Sequence, residues 1–260
     1  MPASARTARS RPGRETIWAG SGAVTHARYH KRIASSAYAS TGRRPLRRDA
    51  QENRERILEA ARRAFADRGI DATVEDIASG AGVGVGTLYR RFPTKDALVD
   101  AVFEVHLDGM AAAAERAYRA ADAWEGLLEY LAYVVGQQAA DRGLSGILGA
   151  HLRTEQLVAR ARSRLRPLVQ LLIERAQDAG ELRLDVVYED VSVLLWTTGR
   201  VVDATRDIAP EFWQRYLALL SDGLRAGSAS PLPQPPLTAA KHRTAMRRFA
   251  VQRGRDPHAR

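Results

Sequence analysis

The stretch TVEDIASGAGVGVGTLYRRFPTKDAL, residues 73–98, decides how this chain is read. Thr73 followed three residues later by Asp76 has the pattern of a capping box. Val74, Ile77 and Ala78 then supply the inward face of a short helix over Val74–Ser79. Glycines stand at 80, 82, 84 and 86. They match neither G-x-G-x-x-G nor a P-loop, and a helix rather than a strand precedes them, which argues against a nucleotide-binding loop. A tight turn with Gly82 left-handed and Val83 buried accounts for them better. A second short helix follows over Val85–Phe92, with Leu88 and Phe92 inward. Pro93 ends it, Thr94 caps the next helix, and Lys95 lies in that helix's first turn.

Upstream, Asn53–Arg68 places Ile57, Leu58, Ala61, Ala64 and Phe65 on one face, and Gly69 supplies a stop. Two short helices joined by a glycine turn and buttressed by a longer one make a helix-turn-helix. The outer face of the second short helix gives that motif its chemistry. Val85, Gly86 and Thr87 are small, so the backbone can approach a major groove closely. Tyr89, Arg90 and Arg91 follow with donors for bases or phosphates. A plain three-helix bundle would have no need of an aromatic and two cations together there.

The same stretch, with RERILEAARRAFADRGI (residues 54–70) before it, closely resembles the DNA-binding domain of TetR-type transcriptional regulators. The Thr-capped helix, the Ala-Gly-Val turn, the Leu-Tyr-x-x-Phe segment and the following Lys are all in place. The resemblance implies that Tyr89 and Lys95 contact phosphates and that Thr73 touches the backbone. It implies that Val85, Gly86, Thr87 and Arg90 face base edges, with Arg91 beside them. The chain departs from many members at Gly84, where a polar capping residue is usual, which weakens the cap by a few tenths of a kcal/mol.

Beyond about residue 110 the chain is read from pattern, and the expected class is all-α. Helices are predicted over Lys95–Ala120, Ala123–Arg142, Ser145–Arg153, Glu155–Ala179 (kinked at Pro167), Val187–Ala204 and Pro210–Arg225, the last with Pro at its first position. Residues 177–185 resemble a linker found in members with an SbtR-like regulatory domain. By resemblance, the last two helices form a homodimer's four-helix interface through Val191, Leu194, Leu195, Thr198, Val202, Phe212, Tyr216, Leu219 and Leu220. The alternative is that they close one chain's own core. An effector cavity is expected among the helices of 99–180. Its candidate walls are Phe103, His106, Met110, Trp124, Leu128, Tyr133, His151 and Trp196. No cluster at metal-ligating spacing accompanies His106 or His151, so neither metal nor cofactor is expected.

The chain has 260 residues, 45% hydrophobic and 27% charged, which is the composition of a folded protein, and no cysteine. That removes disulfides, thiolate metal sites and thiol nucleophiles. No apolar run approaches the roughly 18 residues of a membrane-spanning helix. No G-x-S-x-G or H-E-x-x-H occurs, so an enzyme is not expected. The formal charge of +10 is unevenly placed. Residues 1–48 carry eleven Lys/Arg and one acid, and residues 226–260 carry seven and one. Residues 49–95 balance at eight of each, and 96–225 hold fourteen basic and twenty acidic residues. Four regions are therefore expected. These are an unfolded basic arm or mis-called start (1–48), the reading domain (49–95), a regulatory and dimerisation domain (96–225), and an unfolded tail (226–260) that is Pro-rich and then basic, with one or two amphipathic turns at most over Lys241–Arg253. The expected function is a ligand-responsive homodimeric repressor in the bacterial cytoplasm, nucleoid-associated and bound to a palindromic operator. The competing reading is a nucleoid-type protein that binds DNA through its basic ends without regard to sequence.

Overall fold

The structure, a computed structural model, describes residues 44–140, 155–228 and 230–253. They form nine α-helices: α1 Arg44–Arg68, α2 Val74–Ala81, α3 Val85–Arg91, α4 Lys95–Tyr118, α5 Ala123–Ala140, α6 Glu155–Asp178, α7 Tyr188–Thr205, α8 Phe212–Leu224 and α9 Ala239–Arg253. Short 3-10 turns occupy Gly69–Asp71 and Ala226–Ser228. Among the described residues there is no strand beyond one isolated antiparallel bridge, Leu182 with Arg225. No helix among them is long and apolar enough to cross a membrane.

The first core assembles where the apolar spacing places it. Ile57, Ala61 and Phe65 of α1 pack with Ile77 and Ala78 of α2 and with Leu88 and Phe92. Each large apolar side chain buried in this way contributes about 1.5–3 kcal/mol. Thr73 caps α2 through a complete capping box: its Oγ1 accepts from the Asp76 N–H at 3.1 Å, and the Asp76 carboxylate accepts from the Thr73 N–H. Gly82 ends α2 at φ +63°, where a Cβ would be strained, and its N–H donates to the Ser79 carbonyl at 3.0 Å. Val83, expected to be buried, is half-buried against this core.

Helix α4 belongs to two cores. Leu98, Val99 and Val102 complete the first. Phe103, Leu107 and Ala111 begin a second with Leu165 of α6. The expected boundary at residue 95 therefore does not separate two bodies, because the change of core falls within one unbroken helix, after Val102. Arg175 of α6 donates to the carbonyls of Ala117 and Ala120, at and just past the end of α4. At the same end, Gly126 lets α5 approach so closely that a Cβ there would strike the Ala117 carbonyl.

Three expectations are corrected. Helix α1 begins at Arg44, inside the region expected to be an unfolded arm; Pro45 in its first turn forfeits only an N–H that the helix would leave unpaired anyway. Pro210 is not the first residue of α8, which starts at Phe212 after a turn in which the Phe212 N–H donates to Ala209. The tail expected to be unfolded contains α9. Thr238 caps it through the Lys241 N–H, and His242 and Met246, one turn apart, bury a common face. Helix α6 runs through Pro167 without a break in its assignment. The expected helix Ser145–Arg153, His151 within it, and residues 1–43 lie outside the described residues.

Candidate nucleic-acid interface and cavity

The second short helix, α3, turns Leu88 into the core and its other side to solvent. Tyr89 is 44% exposed, and Gly86, Arg90 and Arg91 are exposed beside it. The Arg90 guanidinium donates to Thr87 Oγ1 at 3.1 Å, which aligns both side chains on one face. Lys95 opens α4 next to this face, one residue after the Thr94 cap, whose Oγ1 accepts from the Ala97 N–H at 3.0 Å. From Ile77 to Lys95 the sequence contains no acid, so the surface is locally cationic although residues 49–95 balance. Two predicted contacts are placed differently from the rest. Val85 is half-buried and packs on the core, which leaves only part of it for a base edge. Thr73 is exposed, but its hydroxyl already donates to Asp76 at 2.8 Å, and Arg68 pairs with the same carboxylate.

A cavity of about 160 Å³ opens among α4, α5, α6, α7 and α9. Phe103, His106, Met110 and Trp196, four of the predicted wall residues, line it. Three others do not. Trp124 is buried at the far end of α5, with the Arg225 guanidinium 4.2 Å from its ring centroid. Tyr133 lies beneath Arg116, and Leu128 is half-buried away from the cavity. All three sit on faces of α5 other than the one bearing Tyr130, Val134 and Gln138, which do line it. Burial raises the phenol pKa of Tyr130 and that of Tyr188.

The reading from sequence missed the polar end of this cavity. Arg162, Tyr188, Ser192, His242 and Arg243 gather there. His242 is 3% exposed, and neither ring nitrogen has a hydrogen-bond partner. Burial holds its imidazole below the ordinary histidine value, so the ring is neutral at neutral pH. The i, i+4 pair His242 and Met246 was the available signal, hidden behind a Pro-rich run and a basic composition.

The predicted dimer residues divide into two groups. Val191, Leu195, Thr198 and Val202 are interior to the single chain, and Val191 and Leu195 line the cavity, so they are not available to a second copy. The Thr198 hydroxyl donates to the Leu194 carbonyl at 2.8 Å. Phe212 and Leu219 are 40% and 60% exposed, and Tyr216, Leu220 and Leu194 are partly so. Phe212, Tyr216, Leu219 and Leu220 recur at helical spacing on one side of α8.

A short helix with a small, cationic outer face, set on a helical domain with an internal cavity, defines a helix-turn-helix regulatory protein. Residues 57–102 match the model for bacterial regulatory proteins of the TetR family, and residues 122–226 match the C-terminal domain of SbtR-like transcriptional regulators. A TetR transcription regulatory protein from Mycobacterium vanbaalenii is 34% identical over 70% of this chain and 99% of its own, with a TM-score of 0.55. A TetR transcriptional regulator from Streptomyces coelicolor is 30% identical over 66% of this chain and 98% of its own, also at 0.55. An HTH-type transcriptional regulator of Staphylococcus aureus is 42% identical over 64 residues. That match covers 24% of this chain and 35% of the relative, about a third of the relative's length. The chain belongs to the TetR family of transcriptional regulators, and it carries an SbtR-like C-terminal domain. The first family match ends at Val102, where α4 passes from one core to the other.

Proposed function

We propose that the chain is a homodimeric repressor that reads a palindromic operator in the bacterial cytoplasm and leaves it when a small molecule fills the cavity. The observation that carries this reading is the course of α4. Its first residue, Lys95, stands beside the reading face, and its third turn brings Phe103 and His106 into the cavity wall. A ligand that prefers a different position of Phe103 shifts the populations of α4, and with them the reading helix. No bond between the sites is required beyond the helix itself.

One recognition helix reads too few base pairs for specificity, whereas a two-fold pair reads a palindrome with half-sites about 34–36 Å apart. The stripe Phe212, Tyr216, Leu219 and Leu220 on α8 is the surface we assign to the second copy. It is apolar and partly exposed, with the exposed Arg215 beside it. Tyr89, Arg91 and Lys95 hold the phosphates, and Gly86, Thr87 and Arg90 meet the base edges.

The test is genome-wide footprinting of the bound sites, followed by titration of the recovered sequence and of scrambled DNA at one stated salt concentration. A palindromic site preferred by about 10³-fold or more supports the reading. Equal affinity for both DNAs overturns it, and a monomer at the concentrations that bind the site overturns the dimer.

A further inference from the structure

Helix α9 brings a second histidine to the cavity, in addition to His106 of α4. Most of the lining from α4, α5 and α7 is apolar, including Phe103, Met110, Leu195 and Trp196. His242 enters from α9, almost wholly buried, with one N–H donor and one acceptor unmatched among the described residues. Buried polar groups are nearly always hydrogen-bonded, so an unmatched N–H at a cavity wall points to an occupant that accepts from it. Its ring meets that of Tyr188 edge-on at 6.1 Å, which leaves the nitrogens no partner from that side.

The charges around His242 set the sign of that occupant. Arg162 and Arg243 line the cavity, and among the described residues no Asp or Glu does. The nearest carboxylates, Glu189 and Asp190, are engaged elsewhere. Glu189 accepts from Arg166 at 2.5 Å, and Asp190 accepts from the Val187 N–H at 3.0 Å at the start of α7. The polar end of the cavity is therefore positive, next to a neutral donor. An apolar cavity of about 150 Å³ holds one benzene ring, and this one is about 160 Å³. A single ring or its branched aliphatic equivalent fills the apolar part, and a carboxylate at the polar end accepts from the His242 N–H and from the guanidinium groups.

We infer that α9 is the lid of the effector cavity, and that His242 and Arg162 read the carboxylate of a small organic acid with a body of about one ring. This rests on the ligand-responsive reading above and deepens it. The lid lies beyond residues 122–226, which the C-terminal family model covers. The segment leading to it is tethered: buried Arg183 donates to Asp185 at 2.9 Å and to the Ser230 carbonyl at 2.6 Å. The Pro-rich run over 231–236 then limits the positions that α9 can take.

The test uses the full chain, with benzoate as the acid and benzyl alcohol as its neutral counterpart, measured by titration calorimetry. Benzoate is expected to bind at least tenfold tighter than benzyl alcohol. His242→Leu and Arg162→Gln are each expected to weaken benzoate at least fivefold and benzyl alcohol less than twofold. Leu packs at an apolar wall and Gln at a half-exposed site, so both variants fold, and unchanged far-UV circular dichroism verifies it. Benzoate is also expected to slow backbone hydrogen exchange over 239–248. Absence of benzoate binding, parity with the alcohol, or wild-type affinity in both variants overturns the inference. If benzoate binds with the expected dependence on His242 but the operator complex persists, the ligand-responsive reading fails and the lid stands. If another compound releases the operator equally well from wild type and His242→Leu, the lid fails and that reading stands.

Discussion

Lys95 and Phe103 lie eight residues apart on one unbroken helix, the first beside the exposed face of α3 and the second in the cavity wall. At 1.5 Å per residue, about 12 Å of α4 separates them. Between them Leu98, Val99 and Val102 are locked into the reading-head core. In the proposed mechanism a displacement of Phe103 is carried to Lys95 along α4, whose near half packs into one core with α1, α2 and α3.

Lys95→Ala removes a cation from the reading face and nothing from the cavity. Operator affinity is expected to fall by about tenfold at moderate salt, and the log–log salt slope to become shallower by about one. Affinity for any cavity ligand is expected to stay within twofold. Gel-shift titrations at three salt concentrations and calorimetry of the ligand measure both. An unchanged salt slope means that Lys95 touches no phosphate.

The reading head was legible in the sequence because its determinants are local. A Thr three residues before an Asp, a glycine turn and a Leu-x-x-x-Phe pair each act within one or two turns of helix, and each took its expected place. The cavity was legible only in part. Phe103 and Trp196 announce themselves by size, but whether an aromatic residue on α5 faces inward depends on how α5 is rotated, and Trp124 and Tyr133 fell on other faces. The dimer residues of α7 were apolar at helical spacing, a pattern that one chain's core satisfies as well as a second copy does. Helix α9 was expected only as one or two amphipathic turns, because its buried face has just two members, His242 and Met246, among basic residues that read as a solvated tail.

Thr73 and Asp76 close the capping box of α2, and Arg68 adds a cation to it. Thr73→Ala is expected to cost about 1 kcal/mol in chemical denaturation at pH 7. The Asp76 carboxyl is held below the ordinary aspartate value, chiefly by its bond from the Thr73 hydroxyl; desolvation, the next effect, opposes this, and Arg68 adds to the lowering. Because the folded value is the lower one, the stabilisation is present above about pH 4 and is lost as the pH falls through the folded value. The difference between wild type and Asp76→Asn is therefore expected to be constant from pH 7 to 5 and to shrink below 4. A gap that grows on acidification contradicts the assignment.

Arg166 and Glu189 form an asymmetric pair. The Glu189 side chain is 6% exposed and that of Arg166 is 32%, at 2.5 Å. The guanidinium also lies 4.9 Å from the Tyr188 ring centroid. Removing Arg166 strands a buried carboxylate, whereas removing the Glu189 charge leaves a guanidinium that water can reach. Arg166→Leu is expected to cost about 2–4 kcal/mol and Glu189→Gln about 1 kcal/mol. Urea unfolding of the two variants measures the order, and equal costs would show that Glu189 is not the desolvated partner.

Two glycines test close approach between helices in opposite ways. A Cβ at Gly126 meets the backbone carbonyl of Ala117, and at Gly199 it meets only the side-chain carboxamide of Gln138. Backbone cannot retreat without moving α4 against α5, whereas a carboxamide can swing on its own torsions. Gly126→Ala is expected to cost about 2–3 kcal/mol, since overpacking here shifts main chain. Gly199→Ala is expected to lie within about 1 kcal/mol of wild type, because the displaced Gln138 is offset by the better helix propensity of Ala. Its effect appears in the cavity instead. Gln138 is part of the lining, so its displacement narrows the space and lowers ligand affinity without lowering stability. Thermal unfolding and calorimetry on the same two proteins separate these effects. A Gly199→Ala protein that is as unstable as Gly126→Ala would show that Gln138 is as fixed as backbone.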